Sequence, residues 1–222
     1  MEGQKRERKK PERKADPGSG AAQKLDFKPG NMLYPLPAVM VSCGDESESN
    51  IITVAWTGTV CSDPPMISVS VKPERYSHHL IRESGEFVIN LVTEELVRAT
   101  DYCGVRSGRD TDKWADCGLT RIPSKTVRCP AIGESPVNIE CRVKSVTPLG
   151  SHTMFVAEVT AVRADGRYLD EKGRFRLNDA KPVTYSHGTY FSLGKELGTF
   201  GFSVKKDKTK PRKAAEKRRK TT

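Results

Sequence analysis

Val137-Asn138-Ile139-Glu140-Cys141-Arg142-Val143-Lys144 alternates apolar and polar side chains without a break, and Ile67-Ser68-Val69-Ser70-Val71-Lys72 repeats the pattern. A period of two marks a strand, because successive side chains leave opposite faces of a sheet. Both stretches read as strands with one face on a core and the other in water. Working outward, further strands are predicted at 37–43, 51–57, 86–92, 153–163 and 182–186. Turn clusters such as Cys43-Gly44-Asp45-Glu46-Ser47 and Ala164-Asp165-Gly166 separate them. Roughly seven strands at this spacing make a mainly β chain of the barrel or sandwich type.

Helices are few. Ser77 to Ser84, Thr93 to Tyr102 and Asp112 to Cys117 have suitable composition, with Ser77, Thr93 and Asp112 available as N-caps. Glu94 and Glu95 fall in a first turn, where the helix dipole favours acids. There is no strand-helix alternation, no fixed-period repeat and no Gly-x-Gly-x-x-Gly, which excludes a Rossmann dinucleotide domain.

The formal net charge of +10 over 222 residues belongs to the ends. Residues 1–24 hold 8 Lys/Arg against 4 Asp/Glu, residues 203–222 hold 10 against 2, and the 20 basic and 22 acidic residues between leave a core of −2. Neither tail has periodic apolar residues to offset ordering entropy, so 1–24 and 203–222 read as disordered basic tails flanking a single domain over 25–202. They serve either as solvated, solubilising ends or as weak, sequence-blind contacts to polyanions.

The six cysteines contain no Cys-x-x-Cys and no Cys/His cluster, so no metal site is expected. Cys43, Cys61, Cys129 and Cys141 lie in or beside apolar stretches, which suits buried thiols in a reducing compartment. No apolar run of about 18 residues and no signal-peptide core occurs, and a cytoplasmic, non-membrane location is expected.

Four constellations invite a chemical reading. In Asn50-Ile51-Ile52-Thr53-Val54-Ala55-Trp56-Thr57-Gly58-Thr59 the even positions Ile52, Val54 and Trp56 are bulky and apolar, and the odd positions Thr53, Ala55, Thr57 and Thr59 small and mostly hydroxylic. Such a surface admits a flat polar ring close to the backbone, and it equally suits an ordinary strand faced with threonines. Lys72-Pro73-Glu74-Arg75-Tyr76-Ser77-His78-His79 leads from a strand into a helix, offering free N–H groups, a hydroxyl and a guanidinium. That is a phosphate cradle in outline, or a capped helix with a solvated arginine. Adjacent helix positions face different ways, so at most one of His78 and His79 meets a ligand. Ser107-Gly108-Arg109-Asp110-Thr111-Asp112-Lys113-Trp114 and Leu149-Gly150-Ser151-His152-Thr153 are polar loops opening into a helix and a strand. No Ser-His-Asp order or carboxylate pair supports a hydrolase.

In order and spacing, these segments resemble the flavin reductase-like FMN-binding split barrels, the family of flavoredoxins and of the reductase components of two-component monooxygenases. The resemblance spans about residues 30 to 200. It rests on Asn50-x-x-Thr53-x-Ala55-Trp56-Thr57-Gly58, Asp63-Pro64-Pro65-Met66-Ile67, Arg75-Tyr76-Ser77-His78-x-x-Ile81 and Gly85-Glu86-Phe87-Val88-Ile89-Asn90-Leu91. Ser107-Gly108-Arg109 with Asp112-Lys113-Trp114, Gly150-Ser151-His152-Thr153 and Tyr190-Phe191-x-Leu193-Gly194 extend it.

The resemblance implies a split β-barrel binding FMN, usually as a homodimer. Asn50, Thr53, Ala55, Trp56, Thr57 and Gly58 are expected along the flavin ring and ribityl chain. Arg75, Ser77 and His78 are expected at the phosphate, and Asn90 and Lys113 as further contacts. His152 and Tyr190 are expected near the flavin face as the catalytic pair, where a nicotinamide or acceptor docks. His187-Gly188-Thr189-Tyr190 departs from the glycine-rich turn expected there. The implied activity passes electrons from NAD(P)H through FMN to free flavin, ferric complexes or a partner redox protein. The alternatives are a flavoredoxin-type carrier without direct NAD(P)H activity, or a non-redox polyanion-binding protein using its tails.

Overall fold

The computed structural model describes residues 24–205, and the chain divides after Leu33 into two units. Residues 24–33 contain no helix or strand. The basic tails, apart from Lys24 and residues 203–205, lie outside the described residues.

The unit from Tyr34 onward opens with β1 (Leu36–Pro37), β2 (Val39–Gly44), β3 (Ser49–Val54), β4 (Thr57–Ser62) and β5 (Pro65–Val71). Then come α1 (Tyr76–Ser84), β6 (Glu86–Leu91), a 3₁₀ turn at Glu94–Leu96 running into α2 (Val97–Val105), and α3 (Lys113–Asp116). The short β7 (Arg121–Ile122) and β8 (Ala131–Ile132) precede a long hairpin, β9 (Val137–Leu149) and β10 (His152–Ala164). A last hairpin is β11 (Val183–Ser186) and β12 (Thr189–Ser192).

Seven strands pair antiparallel in the order β3-β2-β6-β9-β10-β5-β4. The two outermost, β3 and β4, are consecutive in the chain, so the sheet must curl until its edges meet. Trp56, in the short link between them, accepts the Ser70 N–H at 2.9 Å and so extends the β4–β5 ladder by one residue. Register shifts between Val156 and Ala157 and between Val159 and Ala161 add the bend that such curling needs. The interior is filled by Val41, Cys43, Ile52, Val69, Phe87 and Phe155, each buried at roughly 1.5–3 kcal/mol for a large apolar side chain. On the far side of β2 and β3, Met40, Ile51, Cys103, Trp114 and Ile132 form a second core beneath α2 and α3.

That second core corrects two expectations. The stretch 51–57 is not one strand with a polar outer face: it breaks at Ala55–Trp56, and Ile51, on the supposedly polar face, is fully buried. In β9, the expected wet face is dry at one end. Asn138 and Glu140 are buried, whereas Arg142 and Lys144 reach water and pair with Glu86 and Glu158. Glu140 accepts the N–H groups of Lys125 and Thr126 at 2.8 and 2.6 Å and the Thr126 hydroxyl at 2.7 Å. A polar side chain can alternate correctly and still face protein, because the loop between β7 and β8 folds over it.

The predicted caps divide similarly. Asp112 caps α3, accepting from Trp114 N at 3.0 Å and Ala115 N at 3.3 Å. Ser77 does not cap α1: Arg75 holds the N-cap position and Ser77 lies inside the first turn. Thr93 flanks the 3₁₀ turn without a side-chain cap. No described helix is long and apolar enough to cross a membrane.

Candidate functional site

Two adjoining cavities lie where the β3–β4 link meets α1 and α2, and both are bounded by Ile52, Arg75 and Gly104. The larger, about 410 Å³, is rich in aromatic side chains: Trp56 and the contacting Tyr34, Tyr185 and Tyr190 line it with Thr53, Val54 and Ala55 of the strand, and Lys72, Arg75 and Asp101 also reach its wall. The smaller, about 170 Å³, is basic. Arg75, Arg106, Arg109 and Lys113 border it, against the single carboxylate of Glu74. One end therefore suits a flat ring and the other an anion.

The basic cavity is built at the start of α1. With Arg75 as N-cap and no side-chain cap, the first N–H groups of the helix end there together with the positive end of its dipole. Ser77 Oγ accepts from Asn50 Nδ2 at 2.8 Å, which orients both buried side chains. Gly108 packs directly on Asn50: a Cβ added there would lie 2.3 Å from Asn50 Oδ1, so only glycine lets the loop approach. Arg109 is steadied by donating to the Glu74 carbonyl at 3.0 Å and by stacking over Tyr76, 5.6 Å from the ring centre.

Lys113 is 3 % exposed and donates to the carbonyls of Ile51 at 2.7 Å and Cys103 at 2.8 Å. Among the described residues no carboxylate lies within ion-pair reach of it. Burial lowers its pKa, an effect that an anion in the cavity would oppose. One N–H of the ammonium remains beyond the two carbonyls, and the side chain borders the cavity.

At the aromatic end, Tyr190 stands 5.5 Å from the Tyr185 ring, and its hydroxyl donates to Asp101 at 3.5 Å. Burial, reinforced by the Asp101 charge, pushes its pKa up to about 12. His152 borders the same cavity, its Nδ1 2.9 Å from Ser151 Oγ. The departing turn at His187-Gly188 has φ values of 47° and 81°, a two-residue hairpin link that brings Gly188 to the cavity wall. Tyr34 rests on His187 at 4.4 Å.

Of the residues singled out in the sequence, Thr53, Ala55, Trp56, Arg75, His152 and Tyr190 line the aromatic cavity. Asn50, Arg75, Ser77 and Lys113 line the basic one. Four fall elsewhere. His78 turns inward, 3.0 Å from Thr153 Oγ1 and edge-on to Phe155, and burial, followed by the Arg82 and His79 charges, lowers its pKa. Asn90 is fully buried among protein partners. Its Nδ2 donates to Met40 O and Ser42 Oγ at 3.0 and 3.1 Å, and its Oδ1 accepts from Ile132 N and Asn138 Nδ2 at 3.0 and 2.8 Å. Asn90 is a knot joining β2, β6, β8 and β9, which satisfies every group it has. Thr57 donates to the Ser68 carbonyl at 2.8 Å, and with Gly58 it lies along β4, outside both cavity walls. Thr53 borders the cavity, but its hydroxyl is already committed as a donor to Thr100 O.

Sequence reasoning missed Tyr34, Asp101, Gly104, Arg106 and Tyr185. Gly104 carried no signal along the chain, since the approach that would set a Cβ 3.3 Å from Thr53 arises only where α2 packs on β3. The two tyrosines carried none, because only the β1–β11 pairing brings Leu36 opposite Tyr185.

Comparison with known proteins gives the site its context. Residues 32–194 match the model of the flavin reductase like domain. The chain belongs to the flavin reductase-like family. Its fold is the split barrel of flavin reductases, mostly β with few helices. This flavin reductase-like chain is similar to the flavoredoxin of Desulfovibrio vulgaris (Miyazaki F), with a TM-score of 0.76 and 32 % identity, covering 82 % of this chain and 100 % of that one. The flavoredoxin of Methanosarcina acetivorans superposes with a TM-score of 0.75 at 26 % identity, covering 83 % of this chain and 100 % of that one. By sequence, an uncharacterised protein of Archaeoglobus fulgidus is 33 % identical over 168 residues, 75 % of this chain and 89 % of the relative.

Proposed function

We propose that the chain binds FMN across the two cavities and works as an oxidoreductase, passing electrons from NAD(P)H to free flavin, a ferric complex or a redox protein. The observation that carries this reading is the junction of an aromatic cavity with a basic one through the shared Arg75. Arg75, Arg106, Arg109 and Lys113 leave a surplus of positive charge where a phosphate would lie, and the aromatic walls offer apolar surface for a ring. Bound FMN supplies a ring that takes a hydride and releases its electrons onward.

The protein's own part is to hold, orient and shield. Arg75, Lys113 and the first N–H groups of α1 hold the phosphate, with Asn50 and Ser77 fixing each other at its edge. Trp56, Ala55 and Thr53 lie along one side of the ring, and Tyr34 and Tyr185 exclude water from another. Tyr190 keeps its proton at neutral pH, so it presents a neutral hydroxyl, and His152 stands beside it where donor and acceptor would dock. Val60, Val146 and Val162, exposed on β4, β9 and β10, suit the pairing of two copies into a homodimer. The unpaired thiols fit a reducing, cytoplasmic compartment.

The likeness to two flavoredoxins supports a second reading, an FMN carrier that takes electrons from a protein. An anaerobic FMN titration followed by visible absorption, then by NADH or NADPH, separates the two. Bleaching by a nicotinamide supports the first reading, and bleaching by a reduced protein alone supports the second. A protein that leaves the FMN spectrum unchanged at any concentration refutes both, and leaves polyanion binding by the tails to be tested with RNA and DNA.

A further inference from the structure

A third cavity, about 570 Å³, adjoins the basic one and shares Tyr76, Gly108, Arg109 and Lys113 with it. Those four residues form the partition between the two. Glu46, Ser47, Ser49 and Asp110 make the outer space polar, and it has no lining residue in common with the aromatic cavity. The three spaces therefore lie in series: aromatic, basic, polar.

Size limits what each can hold. At about 170 Å³ the basic cavity is smaller than the roughly 300 Å³ at which small-molecule sites begin, so it has room for a phosphate but not for a phosphate bearing a nucleoside. A flavin mononucleotide ends there. A flavin adenine dinucleotide continues into a second phosphate and an adenosine, which must cross the partition.

Three members of the partition are held in place by other parts of the fold. Lys113 donates to the carbonyls of Ile51 and Cys103 at 2.7 and 2.8 Å. Gly108 lies too close to Asn50 for even a Cβ to fit. Tyr76 donates its hydroxyl to the Glu48 carboxylate and meets the His79 ring edge-on at 4.9 Å. Arg109 is exposed, and its guanidinium acts as a latch, donating to the Glu74 carbonyl at 3.0 Å and lying 5.6 Å from the centre of the Tyr76 ring. The loop beneath it is braced independently of that side chain: Arg109 N donates to Ser107 Oγ at 3.2 Å, and the Thr111 hydroxyl donates to the Ser107 carbonyl at 3.0 Å.

We infer that Arg109 is the residue by which this chain selects a flavin mononucleotide over a flavin adenine dinucleotide; the inference rests on the flavin reading proposed above. FMN leaves the latch closed. To admit the dinucleotide, the guanidinium must leave both the Glu74 carbonyl and the Tyr76 ring, and losing a charge-assisted hydrogen bond costs about tenfold or more in affinity. Without the Arg109 side chain the basic and outer cavities join, and the carboxylates of Glu46 and Asp110 become available to ribose hydroxyls.

The test titrates the full-length protein, wild type and Arg109→Ala, with FMN and with FAD, following the quenching of flavin fluorescence. The wild type is expected to bind FMN about tenfold or more tightly than FAD, and Arg109→Ala to narrow that ratio to within about threefold. The ratio is the readout, because losing a charge that merely attracts phosphate weakens both flavins alike. Circular dichroism checks that the variant folds, and if it does not, the wild-type ratio decides. FMN bound without preference over FAD, or a ratio that Arg109→Ala leaves unchanged, would overturn selection by Arg109 and leave the flavin reading standing. A wild type that takes up neither flavin removes both.

Discussion

Replacing Gly108 by alanine tests how the basic cavity is assembled. The added Cβ would sit 2.3 Å from Asn50 Oδ1 and 2.5 Å from its Cγ, far inside van der Waals contact. Asn50 is 4 % exposed and donates to Ser77 at 2.8 Å, so moving its amide breaks that bond. Either the loop at 107–109 backs away or Asn50 rotates and loses Ser77. Overpacking of this kind costs about 1–3 kcal/mol, and a lost hydrogen bond about 1 kcal/mol. With a urea dependence of about 1–3 kcal/mol per molar, Gly108→Ala should lower the unfolding midpoint by roughly 1 M or more. A double-mutant cycle isolates the cause. Asn50→Ala removes the obstructing amide, so Gly108→Ala on that background should cost at least about 1 kcal/mol less than on the wild type. Equal cost on both backgrounds, or an unchanged midpoint in the single variant, would refute the close approach of Gly108 to Asn50.

Other expectations follow from the same geometry. Arg75→Ala should weaken FMN binding by about 1.5–3 kcal/mol, read by fluorescence titration, and unchanged affinity would remove Arg75 from the phosphate contacts. Asn90→Ala should destabilise the fold by about 2–4 kcal/mol in denaturant, because it leaves Ile132 N and Asn138 Nδ2 without their buried acceptor; a loss below about 1 kcal/mol would dissolve the proposed knot. For Glu140, burial raises the carboxyl pKa, but the Lys125 and Thr126 donors outweigh it and hold the net value low. A depressed folded-state pKa contributes stability above the unfolded value of about 4.3, lost as pH falls through the folded value. The stability gap between wild type and Glu140→Gln should therefore narrow on acidification from neutral pH, and a constant gap would contradict this.

The apolar-polar alternation at 67–72 and 137–144 was enough to announce strands, since side-chain direction in a strand is fixed locally by the backbone. Asp112 as a cap was equally legible, because a cap needs only N–H groups two and three residues away. The ordered motifs from Asn50 to Tyr190 led to the right family. What alternation could not reveal was whether the second face of a strand meets water. Asn138 and Glu140 look like surface polar groups and are buried, because β8 and the loop before it fold over them. His78 and Asn90, matched by motif, turn into the barrel wall and interior and not toward the cavities.

Sequence by itself determined the alternating strands at 67–72 and 137–144, the family and the presence of a basic residue at the start of α1, all of which depend on neighbours along the chain. Only the tertiary structure decided which side chains share a cavity. The β1–β11 pairing brings Tyr34 to Tyr185, and the packing of α2 on β3 brings Cys103 and Gly104 to the basic end. Those encounters join residues far apart in the chain, and no local preference encodes them.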